Sequence, residues 1–172
     1  MQKISIEKGQ DAFLESWNME FHKQYPLSKR MLQEYAIDSN YVLQDESYIL
    51  FDKETYVGCI VVKTAENTLE KYQSVLFVSL IHVAPSYRNR GIATAMLKEL
   101  EGKKASYHKK SLYLGGDMEC FFPGVFVLDN PTTHNFFFAY GFKKVYKSYN
   151  LWTNQQRKIN FKHPDITFHV AK

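Results

Sequence analysis

Cysteine is scarce in this 172-residue chain. Cys59 and Cys120 are the only two, far apart and in apolar surroundings, so neither a disulfide framework nor a metal-ligand spacing can be built from them. They read as reduced, buried thiols. With 5 prolines and 8 glycines there is no collagen-like or low-complexity tract. No apolar run can cross a bilayer: the longest, residues 75–84, is interrupted by Ser79 and His82. The opening MQKISIEKGQD has no apolar centre and no cleavage pattern, which predicts a cytoplasmic protein without a signal peptide or a membrane partner. A concentrated block of basic charge is missing as well. The net charge is +4, but the lysines come as scattered pairs and do not interleave with aromatics on one face, so nucleic acid is not an expected partner.

What is present is an ordinary globular composition, 45% hydrophobic and 23% charged, with no internal repeat and no linker. One domain over residues 1–172 is expected. Residues 2–7 read as a strand, 11–23 as a helix ended by Pro26, and 28–36 as a second helix. "SYILFDKETYVGCIVVKT" reads as a hairpin around residues 52–55, and "SVLFVSLIHVA" as a central strand buried on both faces. A helix over residues 89–101 carries Ile92, Ala93, Met96, Leu97 and Leu100 on one stripe, with Gly102 placed to end it. "SLYLGG" predicts a strand, Asp129-Asn130-Pro131 opens a helix ending at Gly141, and "FKKVYKSYNLW" and "DITFHV" predict two last strands. The order βααβββαβαββ is that of a mixed α/β sheet.

The join at "HVAPSYRNRGIATAMLKELE", residues 82–101, places chemistry on that frame. A helix N-terminus leaves backbone N–H groups without intrahelical partners and adds partial positive charge. Gly91 removes the side chain that would keep a ligand off those groups, and Arg88 and Arg90 add forked cationic donors. This composition suits a phosphate, although a proline-glycine surface connection would look similar.

The run Arg88-Asn89-Arg90-Gly91-Ile92-Ala93 fits the pattern Arg/Gln-x-x-Gly-x-Gly/Ala between a buried strand and an amphipathic helix. It resembles the acetyl-coenzyme A motif of the GNAT superfamily of N-acetyltransferases. A second segment agrees. Asn130, Thr133, Phe136, Phe137 and Gly141-Phe142 match the family's Asn-x-x-Ala-x-x-Leu-Tyr-x-x-x-Gly-Phe, with departures at Thr133, Phe136 and Phe137. The stretch Phe121-Phe122-Pro123-Gly124-Val125 resembles a loop of a bacterial subgroup.

The resemblance, covering roughly residues 3–170, implies a mostly antiparallel sheet with one splayed strand and transfer of acetyl from acetyl-CoA, without metal, to an amine. The acceptor would be a small molecule or a peptide, and a homodimer is left open. It further implies that the backbone of Ile81, His82 and Val83 holds the pantetheine arm. The pyrophosphate would rest on Arg88, Asn89, Arg90, Gly91, Ile92, Ala93 and Thr94. Asn130 would face the arm or merely cap its helix. Many members have a tyrosine at the position of Phe137 that protonates the leaving thiolate, and phenylalanine cannot. Tyr140, three residues on, points about 60° away on a helix. The candidate bases are Glu119, which follows the strand flanking the splay, His82, which could instead be a packed or surface strand residue, and Asp117, which could instead be a turn residue after Gly115-Gly116. Phe121 and Phe122 either wall the acceptor pocket or plug the core edge. The missing tyrosine also admits a non-catalytic acyl-CoA sensor.

Overall fold

The computed structural model describes residues 1–65, 70–119, 121, 122, 124, 125 and 131–145. Among them one sheet runs in the order β1-β2-β3-β4-β5, formed by Gln2–Ile4, Tyr48–Asp52, Thr55–Thr64, Val75–Val83 and Ser111–Leu114. The first three pairings are antiparallel, and β5 joins β4 in parallel. The helices α1 (Ile6–Phe21), α2 (Lys29–Leu32), α3 (Ile92–Lys103) and α4 (Pro131–Tyr140) flank it.

Alternation along the strands divides the core. Ile49, Cys59, Val61 and Leu80 pack with Phe13 and Trp17 of α1 and Leu32 of α2. Leu50, Ile60, Val62 and Val78 meet Ile92, Met96, Leu97 and Leu100 of α3 and Phe137 of α4. β3 and β4, covered on both faces, are almost wholly buried, as their unbroken apolar runs require. Each large side chain buried there contributes about 1.5–3 kcal/mol of apolar transfer energy.

Element boundaries differ from expectation for local reasons. Helix α1 starts at Ile6 because Ser5 caps it, accepting from the Lys8 N–H, so the predicted first strand stops at Ile4. The second helix is four residues long, capped by Ser28, and loosens into a π-turn at Gln33–Ile37. Helix α3 cannot begin at Asn89, because Asn89 (φ 60°) and Gly91 (φ 76°) are left-handed. Gly102 does not end it. The helix passes through to Lys103 and a 3₁₀ turn at Lys104–Tyr107, tied down where Lys103 and Tyr107 both donate to Glu46, at 2.9 and 2.7 Å. Residues 142–145 are not in a strand, and the remainder of the two predicted C-terminal strands lies outside the described residues.

Two irregularities in β4 open the site. Val61 pairs with Leu80 but Val62 with Val78, which leaves Ser79 without a register partner, a bulge that bends the strand. β5 pairs with β4 only from Val75 to Val78 and ends at Leu114. From Ser79 to Val83 the β5 side of the strand is therefore uncovered among the described residues.

Candidate active site

A cleft of about 740 Å³ occupies that opening. Its floor is β4 from Val78 to Val83; its walls are the last turns of α1, the first turn of α3, the β5–α4 loop and the inner face of α4. Ile81, His82 and Val83 border it, as do Arg88, Asn89, Gly91, Ile92, Ala93, Thr94, Phe122 and Phe137. Asn130 lies outside the described residues.

At the α3 end the donors come from the backbone. The helix's first internal hydrogen bond is from Ala95 N–H to Gly91 O, 2.9 Å, so the amides of Ile92, Ala93 and Thr94 precede any helical acceptor. A Cβ on Gly91 would meet nothing within 4 Å, so this approach to the amides is open. The arginines behave differently from expectation. Arg88 is turned back, its Nε–H donating to Val83 O at 2.9 Å and its Nη2 donating to Glu20 Oε2. Arg90 donates to Ser86 O at 2.9 Å, lies 5.0 Å above the Tyr87 ring, and does not border the cleft. Each fork thus has part of its donors on the protein, and the donors that border the cleft at the start of α3 are backbone amides.

Deeper in, three side chains form a chain. His82 is buried on the α1 face of β4, with Nδ1 2.8 Å from the Tyr56 hydroxyl and Nε2 3.3 Å from Glu20 Oε2. An ionised carboxylate only accepts, so Nε2 carries the proton toward Glu20 and Nδ1 accepts from Tyr56. Burial lowers the His82 pKa, with Glu20 opposing that, and the ring is neutral at pH 7. Burial alone would raise the Glu20 pKa, but the hydrogen bonds from His82 and Arg88 outweigh it and hold the carboxyl at about 2. Burial pushes the Tyr56 phenol upward. Further back along β4, Ser79 borders the same cleft, and its Oγ is buried with no hydrogen-bond partner among the described residues.

Glu119 is not part of this arrangement. It lines a separate cavity with Arg30, Glu34 and Asp38, and its Oε2 accepts from the buried Lys63 Nζ at 2.6 Å and from Ser39 at 2.7 Å. A carboxylate held by a buried ammonium and facing away from the cleft is badly placed to take a proton there. Asp117, fully buried, sits 3.6 Å from the same Lys63. The two phenylalanines part company: Phe121 is core, stacked on Tyr35 at 5.5 Å, whereas Phe122 borders the cleft. Tyr140 does not line the cleft. It donates to Glu101 at 3.1 Å, and burial together with that carboxylate pushes its pKa up to about 12. Sequence reasoning missed Glu20, Tyr56 and Ser79. The spacing of Phe13, Trp17 and Phe21 marks one face of α1, and Glu20 is its polar member.

A profile described as the acetyltransferase (GNAT) family matches residues 10–122. The chain belongs to the GNAT acetyltransferase family. It is thus an acetyl-CoA-dependent N-acetyltransferase with the family's mixed sheet. Solved GNAT-like structures share its fold at low identity. The aminoglycoside 6'-N-acetyltransferase AAC(6')-Ih from Acinetobacter baumannii is 19% identical over 90% of this chain and 97% of its own, with TM-score 0.59. AAC(6')-Iy, solved with a CoA-containing bisubstrate analog, is 13% identical over 90% and 98%, with TM-score 0.60. An aminoglycoside acetyltransferase from an uncultured soil metagenomic sample is 14% identical over 88% and 96%, with TM-score 0.61. No curated protein matches the chain. Among the described residues no helix of this GNAT protein is long and apolar enough to cross a membrane, and no three His, Cys, Asp or Glu side chains cluster as metal ligands.

Proposed function

We propose that this acetyltransferase transfers acetyl to the primary amine of a small molecule or peptide by direct attack, with donor and acceptor held in one ternary complex. The observation that carries this is one cleft in which an uncovered strand edge, a helix's unpartnered first-turn amides and the Glu20–His82 pair meet.

The residues fit the donor. The amides of Ile92, Ala93 and Thr94, with Asn89 and Gly91 beside them, suit a diphosphate, and Arg88 and Arg90 add charge nearby. The backbone of Ile81, His82 and Val83 would pair with the pantetheine amides, and the unpartnered Ser79 Oγ suits one of their N–H groups. Phe137 borders the cleft, and the role we assign to Asn130 is to face the arm near the thioester. Acetyl-CoA supplies an electrophilic thioester whose sulfur departs as thiolate.

An alkyl amine with pKa near 10.4 is neutral only about once in 2,500 molecules at pH 7, a cost of ~4.6 kcal/mol. Recovering it needs a proton acceptor. His82 is neutral and Glu20 ionised, both bordering the cleft. As the C–N bond forms and the C–S electrons leave on sulfur, the amine proton passes to Glu20 Oε1, the open acceptor of the pair, because the lone pair of His82 Nδ1 already accepts from Tyr56. No acid is needed at Phe137, since a thiol with pKa about 8.5 leaves adequately as its anion.

We further place the chain in the bacterial subgroup with the Phe-Phe-Pro-Gly-Val loop, as one domain over residues 1–172 acting in the cytoplasm; its own Phe121-Phe122-Pro123-Gly124-Val125 and the buried free thiol of Cys59 support this. The aminoglycoside enzymes that share the fold make an aminoglycoside one acceptor to test. Calorimetry with acetyl-CoA, followed by free-thiol release across a panel of amines, tests the main proposal. Binding with amine-dependent thiol release is expected. The absence of heat defeats it, and binding without release would favour a sensor.

A further inference from the structure

The acceptor end of the cleft is built from ring faces. Trp17 and Phe21 of α1 have centroids 4.6 Å apart, Phe122 lies 5.2 Å from Trp17, and Tyr25 lies 6.0 Å from Phe122. All four border the cleft. Their positions are fixed by polar contacts behind them. The Trp17 indole N–H donates to Tyr25 O at 2.6 Å, which uses the ring's one donor and leaves its surface apolar. The Asn18 side chain exchanges hydrogen bonds of 2.8 and 2.9 Å with Leu27, pinning the turn that carries Tyr25.

Charge in the same space is sparse. Among the described lining residues the ionisable groups that would carry charge are Glu20 and Arg88, which pair with each other, while His82 is neutral. Glu20 nevertheless keeps one acceptor. Its Oε2 takes both His82 and Arg88, and no hydrogen bond among the described residues reaches Oε1, on a side chain about a quarter exposed. The acidic side chains Glu34, Asp38 and Glu119 line the other cavity, which shares no lining residue with this cleft.

From this geometry we infer that the acceptor is a monocationic arylalkylamine, an amine on a short tether from a flat apolar ring. This rests on the proposed acetyl transfer at the same cleft. The amine N–H groups meet Glu20 Oε1, and the ring lies among Trp17, Phe21, Tyr25 and Phe122. A cation close to those ring faces gains from their quadrupoles, and the apolar body gains from burial. A polycation, including an aminoglycoside, would bring several ammonium groups to walls that pair one at most, and each unpaired charge would lose its water without compensation.

The test is calorimetric titration of the protein saturated with CoA, which prevents turnover, using 2-phenylethylamine, ethylamine, 2-phenylethanol, spermidine and kanamycin. Burying a phenyl group predicts 2-phenylethylamine at least roughly tenfold tighter than ethylamine. It should also bind more tightly than the alcohol, spermidine and kanamycin. Phe122→Leu, checked for folding by circular dichroism, should narrow the gap to ethylamine, and Glu20→Gln should narrow the gap to the alcohol. The wild-type ranking stands without either variant. The inference is overturned if 2-phenylethylamine binds no tighter than ethylamine, or if spermidine or kanamycin outranks it. Thiol release from acetyl-CoA, measured separately, reports on acetyl transfer itself. Turnover that favours kanamycin would leave that reaction standing and remove the arylalkylamine.

Discussion

The carboxylate of Glu20, near the end of α1, stands 3.3 Å from Nε2 of His82 near the end of β4, and the same oxygen accepts from Arg88 on the turn into α3. A single atom thus joins the acceptor side of the cleft to the turn that leads into the α3 amides. Glu20→Gln keeps an acceptor of similar shape but removes the charge that opposes burial in setting the basicity of His82. It should lower kcat about 10²-fold, the scale of one general acid–base contribution. Because Glu20 raises the His82 pKa, its removal lowers that pKa further, and the acid limb of kcat/KM moves to lower pH. Glu20→Asp should restore part of the rate, and the KM for acetyl-CoA should change little. Steady-state kinetics from pH 5 to 9 give all three readouts, and an unmoved limb would remove the pair from proton transfer.

The same histidine makes stability depend on pH. Its folded pKa lies below the ordinary 6.5 because burial disfavours the cation, so between the folded value and 6.5 the unfolded chain binds more protons than the native one. His82 therefore contributes nothing unfavourable above pH 6.5, and the native state loses stability as pH falls from there toward the folded pKa. The groups facing the ring are Tyr56, Glu20 and Arg88. Glu20, at about 2 in the folded protein against an ordinary 4.5, adds to the slope only below about pH 5, where the unfolded carboxylate starts to take up its proton. Thermal melts should fall in Tm from pH 7 to 5, and His82→Gln should flatten that slope.

On the α1 and α2 side of the sheet, Lys63 is completely buried with its Nζ 2.6 Å from Glu119, 3.6 Å from Asp117 and 5.5 Å from the Phe121 ring centroid. Removing the one cation leaves two carboxylates together, one of them fully buried. Lys63→Met should destabilise by about 3–5 kcal/mol, the cost of breaking a buried pair from one side. The triple variant Lys63→Met, Asp117→Asn, Glu119→Gln should recover most of that loss. Chemical denaturation separates the two cases, and an intact Lys63→Met would show that the cluster is not a structural clamp.

These three sites mark how far the sequence could be read. The unbroken apolar run of β4 and the Arg-x-x-Gly turn were legible because burial on both faces and a left-handed glycine leave local traces. The strand's uncovered edge and its Ser79 bulge were not, since they depend on where β5 stops and how β3 slips in register. Glu20 was hidden for a similar reason: a lone glutamate on an amphipathic helix looks like a solvated residue until His82, 62 positions later, arrives beside it. Glu119 shows the converse. Its place after a strand suggested a base, but the partner that decides its role, Lys63, sits inside an apolar strand where a buried lysine is not expected.

Two glycines with similar positive φ test whether space or strain governs this site. Gly91 has φ 76° and Gly115 φ 66°, so alanine at either costs about 1–2 kcal/mol of left-handed strain. Their surroundings differ. A Cβ at Gly91 meets nothing within 4 Å, whereas at Gly115 it would lie 2.4 Å from Gly124 N and 2.6 Å from Gly124 Cα. Those are backbone atoms of the loop that carries Asp117, Glu119 and Phe122, and the loop closes through the Gly116 N–H to Phe122 O bond of 2.7 Å. Gly91→Ala should therefore lower Tm modestly while weakening acetyl-CoA binding, because the strain falls on the turn that presents the amides. Gly115→Ala should lower Tm more and push the loop open, releasing Phe122 from the cleft wall and the two carboxylates from Lys63. Equal losses of Tm in the two variants would mean that the loop accommodates a methyl group and that the contact between Gly115 and Gly124 does not hold the wall in place.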